Sequence, residues 1–306
     1  MLRFCLLFVL LSTFGAMALG DSDKPIVRKT DHFVVYGWSS GYLLVERAAV
    51  RAEITYSDLS RELGLKHSPP KRVAICVYRN RQEFSLATGT GRRSMLLGQA
   101  AYGIEVIDVD GSELFRSMEE VLDHEIAHIL VGRVLGPAVG SLPLWMNEGI
   151  AVHFSTAEDA MTIEMLSNAV AEDKLIPLES LSQAFRGAKT SGLAYAESGS
   201  IVGFMESEYG QGTVRAILRG IAEGGAFGEV VRKATGVSAA EIYSAWEKIT
   251  YRRYGLGRWA RQLPEAIWGA MALMVIAAFM AMMRKKRRLA KQYEEEEFFA
   301  RKWPPF

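Results

Sequence analysis

Cysteine is nearly missing: two in 306 residues, Cys5 and Cys76. Cys5 lies in an apolar N-terminal run and departs with it if that run is removed. No intrachain disulfide is then possible, and a cysteine-ligated metal site is excluded. Cys76 sits in the apolar stretch Arg72–Tyr78 and reads as a small buried hydrophobe. No Asn-x-Ser/Thr sequon occurs, which fits a bacterial envelope protein, and there is no internal repeat. Net charge is also slight, +1 overall. It is unevenly spread: Arg3 and the basic C-terminal tail carry the excess, which leaves residues 21–283 at −4. A nucleic-acid binder wants a basic domain, so that class is excluded. The loop Thr88–Arg93 is glycine-rich, but it lacks P-loop spacing and the Lys-Ser/Thr that follows one.

What is present begins at the two ends. Residues 1–20 carry one charge, Arg3, then an apolar run to Phe14 and small residues. Ala16-Met17-Ala18 or Ala18-Leu19-Gly20 would serve for cleavage, so this is expected to be a secretory signal. The alternative is an uncleaved N-terminal anchor. Ala266–Met283 is 18 uncharged residues, the length that just spans a bilayer. Arg284-Lys285-Lys286-Arg287-Arg288 follows at once. Arg252, Arg253, Arg258 and Arg261 on the other flank weaken the charge asymmetry, and the signal breaks the tie. The expected organisation is a signal at 1–20, a domain at 21–256, a linker at 257–265, a transmembrane helix at 266–283 and a cytoplasmic tail at 284–306. The chain would be single-pass in a bacterial inner membrane, with its domain on the periplasmic or extracellular side. A buried core helix is the alternative for 266–283.

Between the ends, Phe33–Tyr36, Arg72–Tyr78 and Gly103–Val109 are β-branched or apolar runs that predict strands. Leu44, Ala48, Ala52, Tyr56, Leu59 and Leu63 recur at helical spacing, which predicts a helix over 42–63 stopped by Gly64. Ser117-Met118-Glu119-Glu120 has the form of a capping box and opens a helix running to Leu135, ended by Gly136-Pro137. Pro143 starts another over Trp145–Phe154. From Tyr195 onward the chain reads as several short helices punctuated by glycines.

The chemistry concentrates in His124-Glu125-Ile126-Ala127-His128. Residues four apart share one helix face, so both imidazoles can converge on one ion, at the Zn–N distance of about 2.0–2.1 Å. Glu125, beside the first histidine, is in reach of a water on that ion. A catalytic zinc site wants a third ligand and one open position. Glu148 is the candidate, with 19 residues between it and His128. Pro143 fits the turn that would bring its helix back antiparallel, and Gly149 would let the helices approach closely. The bland alternative is two ordinary histidines on an amphipathic helix. His32, His67 and His153 lack such spacing. They read as surface or core residues, with a supporting role near the metal open to His153.

Val121–His128 together with Leu142–Ala151 resembles the gluzincin metallopeptidases. It is especially similar to the peptidase MA-like domains of bacterial envelope proteins. The His-to-Glu spacing is that of thermolysin-like enzymes, whereas Trp145-Met146-Asn147-Glu148-Gly149-Ile150-Ala151 is more similar to the aminopeptidase N branch. The similarity extends to Gly98-Gln99-Ala100, Tyr195-Ala196-Glu197-Ser198, Tyr209-Gly210, Thr235–Ser238 and Trp246, over roughly residues 30–255. It implies an α+β zincin-like fold: a small mixed sheet with the His-Glu-x-x-His helix, then a helical C-terminal subdomain. It implies one Zn2+ held by His124, His128 and Glu148, Glu125 as general base and a peptide or protein substrate. It also implies Tyr195 as oxyanion donor, with packing the alternative role, and Gly103–Val109 as the free edge strand on which substrate is laid. Where thermolysin-like enzymes have an Asp holding the first histidine, this chain has Val152, so another group, such as a backbone carbonyl, is expected there. The rival function is a catalytically inactive binding or scaffold module at the envelope.

Overall fold

In the computed structural model the described residues are 23–65, 71–90, 98–101, 105–112, 116–155, 160–255 and 265–302. The expected signal, His67 and most of the expected linker lie outside them. The architecture is mixed α/β and mostly helical, in two compact units that divide after Arg253.

The first unit opens with one five-stranded sheet: β1 (Pro25–Lys29), β2 (Phe33–Trp38), β3 (Val73–Tyr78), β4 (Gly98–Ala101) and β5 (Val106–Asp110). Its order is β1-β2-β3-β5-β4; β2, β3 and β5 are parallel, and β1 and β4 are antiparallel to their neighbours. Val35, Ile75 and Ile107 form one cross-strand row and Val77 pairs with Val109, all essentially without exposure. Each such side chain contributes roughly 1.5–3 kcal/mol through burial. Two helices build the layer beside the sheet, α1 (Tyr42–Leu63) and, after the short α2 (Arg81–Thr88), α3 (Met118–Leu135). As expected, α1 ends at Gly64, whose φ of 68° suits glycine. The expected capping box of α3 is formed in both directions, Glu120 N–H to Ser117 Oγ and Ser117 N–H to Glu120 Oε2, each at 3.2 Å.

The strand expected at Gly103–Val109 needs correction. β5 starts only at Val106, because Glu105 has φ 52°, outside the extended region. It is not an edge. β3 pairs with it on one side and β4 on the other, so among the described residues the edge strand on this side of the sheet is Gly98–Ala101. Cys76 is buried as expected, yet its thiol also donates to the carboxyl of Asp108 on the neighbouring strand.

After α3 the unit is helical: α4 (Leu144–Ser155), α5 (Ala160–Glu172), α6 (Leu178–Ala184), α7 (Ser191–Glu208), α8 (Thr213–Ala222), α9 (Phe227–Thr235) and α10 (Ala239–Tyr254). Trp246 of α10 is buried and donates from its indole N–H to Ser200 Oγ of α7 at 3.0 Å.

The second unit holds α11 (Glu265–Lys302). It contains one apolar span, Ile267–Leu289, with mean hydropathy 1.8, long enough to cross a bilayer by length and composition.

Candidate metal centre

The site is built where α3, α4 and α7 meet. His124 and His128 stand one turn apart on α3, with ring centroids 4.7 Å apart and Nε2 atoms 3.1 Å apart. Glu148 of α4 reaches between them: its Oε2 is 3.4 Å from each Nε2. One candidate ligand atom from each residue falls within 4.8 Å of the others. Glu148 Oε2 is buried with no hydrogen-bond partner among the described residues. A carboxylate oxygen left so, facing two imidazole nitrogens, matches the donor set of a divalent ion.

The electrostatics agree with that geometry. Burial alone would raise the Glu148 carboxyl, but the two imidazoles facing it hold it at about 2. Burial depresses His124. On His128 burial acts the same way, but Glu148 outweighs it and the group is raised.

The expected close approach at Gly149 is found, with a different partner. A Cβ there would lie 2.5 Å from the backbone oxygen of Ser198, on α7 rather than α3. Gly199 of α7 returns the contact, since its Cβ would meet Val152 Cγ1 at 2.4 Å. These two bare positions let α4 and α7 cross almost backbone to backbone. The crossing brings Tyr195, one turn before Gly199, to the metal side: its ring stands edge-on to His124 at 6.1 Å and to Phe185 at 4.8 Å. Burial, then the negative charges of Glu148 and Glu125, raise the Tyr195 hydroxyl well above its ordinary value, so it stays a proton donor at neutral pH.

Glu125 is buried on α3 and faces the sheet edge. A Cβ on Gly98 of β4 would come within 3.0 Å of Glu125 Oε1 and 2.6 Å of Val121 Cγ1. The bare backbone of β4 therefore packs directly against the Glu125 side chain. β4 is itself pinned from its other face: Gln99 Nε2 donates to Asp108 at 3.0 Å, and Tyr78 Oη donates to the same carboxyl at 2.9 Å.

Among the described residues no backbone carbonyl supports the first histidine. His124 Nδ1 is buried without a hydrogen-bond partner among the described residues, while Val152 packs on Gly199. The second histidine has a partner that sequence reasoning overlooked: Asn147 Oδ1, 3.4 Å from His128 Nδ1. The signal was its position, directly before Glu148. Asp123, directly before His124, is buried and takes hydrogen bonds from Arg51 and Thr55 of α1, which ties the metal-binding helix to its neighbour. The other two described histidines stand apart. His32 pairs with Glu53 at 2.6 Å. His153 lies against Gly203 and feels the charges of Glu206 and Glu62.

A match to the peptidase MA superfamily covers residues 58–252, from the end of α1 to the last turn of α10. The chain belongs to that superfamily. No curated protein matches it.

Proposed function

We propose that this is a membrane-anchored zinc peptidase of the gluzincin type, a zincin-like domain outside the inner membrane held by the α11 span. The observation that carries this reading is the convergence of His124, His128 and the otherwise unpartnered Glu148 oxygen, with Glu125 beside them. His124, His128 and Glu148 would hold the ion, and zinc there supplies Lewis-acid chemistry. Glu125 takes a proton from the attacking water and returns it to the leaving amine, so the peptide nitrogen departs neutral. Tyr195 donates a hydrogen bond to the carbonyl oxygen as charge develops on it. The free edge of β4 pairs with an extended substrate backbone. That places the scissile bond beside Glu125, because Gly98 packs on that side chain.

The N-terminal leader, a domain at 21–256, the linker at 257–265, a span at 266–283 and an inward tail from Arg284 complete the proposal. They rest on the charge pattern of the ends. The test pairs zinc analysis with a peptide-library digest on wild type and Glu125→Gln. Glutamine is nearly isosteric but cannot accept the proton. Metal should therefore stay near one per chain while cleavage falls on the order of 10²–10⁴. Equal cleavage by both proteins would refute the assigned base. Zinc without cleavage of any peptide by wild type would favour the scaffold reading.

A further inference from the structure

Which backbone groups of β4 reach its outer edge follows from the ladder on the far side of β5. Ala74 N–H donates to the carbonyl of Glu105 at 3.0 Å, and Gly111 N–H donates to the carbonyl of Tyr78 at 2.8 Å. Alternate residues of a strand bond to opposite neighbours. Ile107 and Val109 therefore turn their backbone groups to β3, while Val106 and Asp108 turn theirs to β4. Gln99 stands opposite Asp108 and Ala101 opposite Val106, so these two pairs exchange the bonds of the β4–β5 ladder. The N–H and C=O of Gly98 and Ala100 are left to the outer edge.

Side chains alternate between the two faces of the sheet. Gly98 lies on the α3 face, against Val121 and Glu125. Gln99 lies on the opposite face, with Asp108. There Asp108 accepts from three groups: Gln99 Nε2 at 3.0 Å, Tyr78 Oη at 2.9 Å and the Cys76 thiol. Tyr78 and Cys76 are themselves held in an apolar cluster with Phe84. An acceptor fixed in this way orients the Gln99 amide, nitrogen towards Asp108 and Oε1 away from it. Gln99 is half-buried, and among the described residues its Oε1 has no partner.

An extended peptide pairing antiparallel with this edge bonds to Gly98 and Ala100. Its residue opposite Gln99 then falls in a non-hydrogen-bonded pair, where Cα atoms lie about 4.5 Å apart and side chains come closest. That side chain projects to the face away from Glu125 and meets Gln99. An amide oxygen attracts N–H donors, charged ones most strongly, and repels a carboxylate, which when ionised offers acceptors alone.

We propose that Gln99 is a specificity-determining residue whose side-chain oxygen takes a hydrogen bond from a Lys or Arg of the substrate, at the position opposite Gln99 on the β4 edge and so close to the scissile bond. This rests on the peptidase reading and names a subsite for it. No covalent bond changes in the contact.

The test uses the full-length protein in detergent micelles. The probes are labelled peptides of one uncharged sequence, in which each position in turn carries Met, Lys or Glu. Binding is measured by anisotropy in the Glu125→Gln background, and cleavage is followed with Glu125 intact. At one position Lys should bind roughly tenfold more tightly than Met, as a hydrogen bond to a charged group implies, and Glu more weakly than Met. Gln99→Met should erase that preference. Gln99→Lys keeps a donor for Asp108, so β4 stays pinned, but it presents a cation in place of an acceptor. Glu should then bind best at the same position. Thermal melts check that each variant is folded. A role confined to pinning β4 would weaken all peptides alike and leave their ratios unchanged, which overturns the assignment. So does a Lys preference at no position, or one that survives in folded Gln99→Met. Cleavage without this preference would sink the inference and leave the peptidase intact. Lys-dependent binding without any cleavage would do the reverse.

Discussion

Two sheltered glutamates on crossing helices, one half-buried and one buried, are driven in opposite directions. Glu148 on α4 is held at about 2, and Glu197 on α7 is pushed up to about 8. Burial raises both. What differs is the company. Glu148 faces two imidazoles, whereas among the described residues Glu197 accepts only the backbone N–H of Ile176, at 3.0 Å, and feels the negative Glu247. The α4–α7 crossing thus divides a region arranged to hold charge from one arranged to pack. Removing a charged or polar group should change the chemistry in the first region and only the stability in the second, and that difference can be tested.

The largest effect is expected from His128→Ala. It removes one of the two imidazoles that hold Glu148 ionised and one of three candidate ligands. Zinc per chain in the purified full-length protein should fall from near one to near none, with cleavage lost. Retention of full zinc would end the assignment and leave Glu148 as an ordinary ion-pair partner. Tyr195→Phe comes next, with turnover down on the order of 10²–10³ and substrate binding little changed, since an oxyanion donor acts mainly in the transition state. A silent Tyr195→Phe would move the residue to the packing side of the comparison, beside Phe185.

Gly98→Ala should be milder. The new methyl would crowd Val121 and the Glu125 carboxylate. Zinc should remain, turnover should fall roughly tenfold through a displaced base, and overpacking should cost about 1–3 kcal/mol. Unchanged turnover would mean that β4 shields Glu125 without positioning it.

The charge-holding region was far more legible in the sequence than the packing region. His124-Glu125-x-x-His128 and Glu148 are short-range signals, since one helical period and one Pro-started turn bring them together. The capping box at Ser117 and the stop at Gly64 are likewise local chemistry. The contacts that aim Tyr195 are different in kind. Gly149 meets Ser198 and Gly199 meets Val152 across two helices far apart in sequence, and a bare glycine does not announce its partner. The edge strand escaped for another reason. Gly98-Gln99-Ala100-Ala101 has no β-branched or aromatic residue and forms a strand only because β5 offers its side. β5 itself, rich in such residues, was the run that looked like the edge. α5 and α6 were not foreseen.

Glu197→Gln should have the smallest effect, and it tests the packing side. The carboxyl is wholly buried, and its pKa near 8 lies above the ordinary 4.5 it regains on unfolding. Between those values the folded protein keeps a proton that the unfolded chain has released. The contribution to stability is therefore fully present below about pH 4.5 and is lost as pH rises through about 8. Glutamine keeps an acceptor for Ile176 N–H and cannot ionise. Thermal melts from pH 5 to 9 should find the variant close to wild type at the acid end and more stable at the alkaline end. The gain there should be on the order of a few kcal/mol, which is several degrees for a domain of this size. Zinc content should not move, because Glu197 faces Ile176 rather than the imidazoles. A variant less stable than wild type at every pH would mean that the ionised carboxylate holds the Ile176 segment. The two glutamates would then be alike, and the division at the helix crossing would fail. A parallel pair of curves, equally separated at pH 5 and pH 9, would show that the change alters packing without any link to this proton.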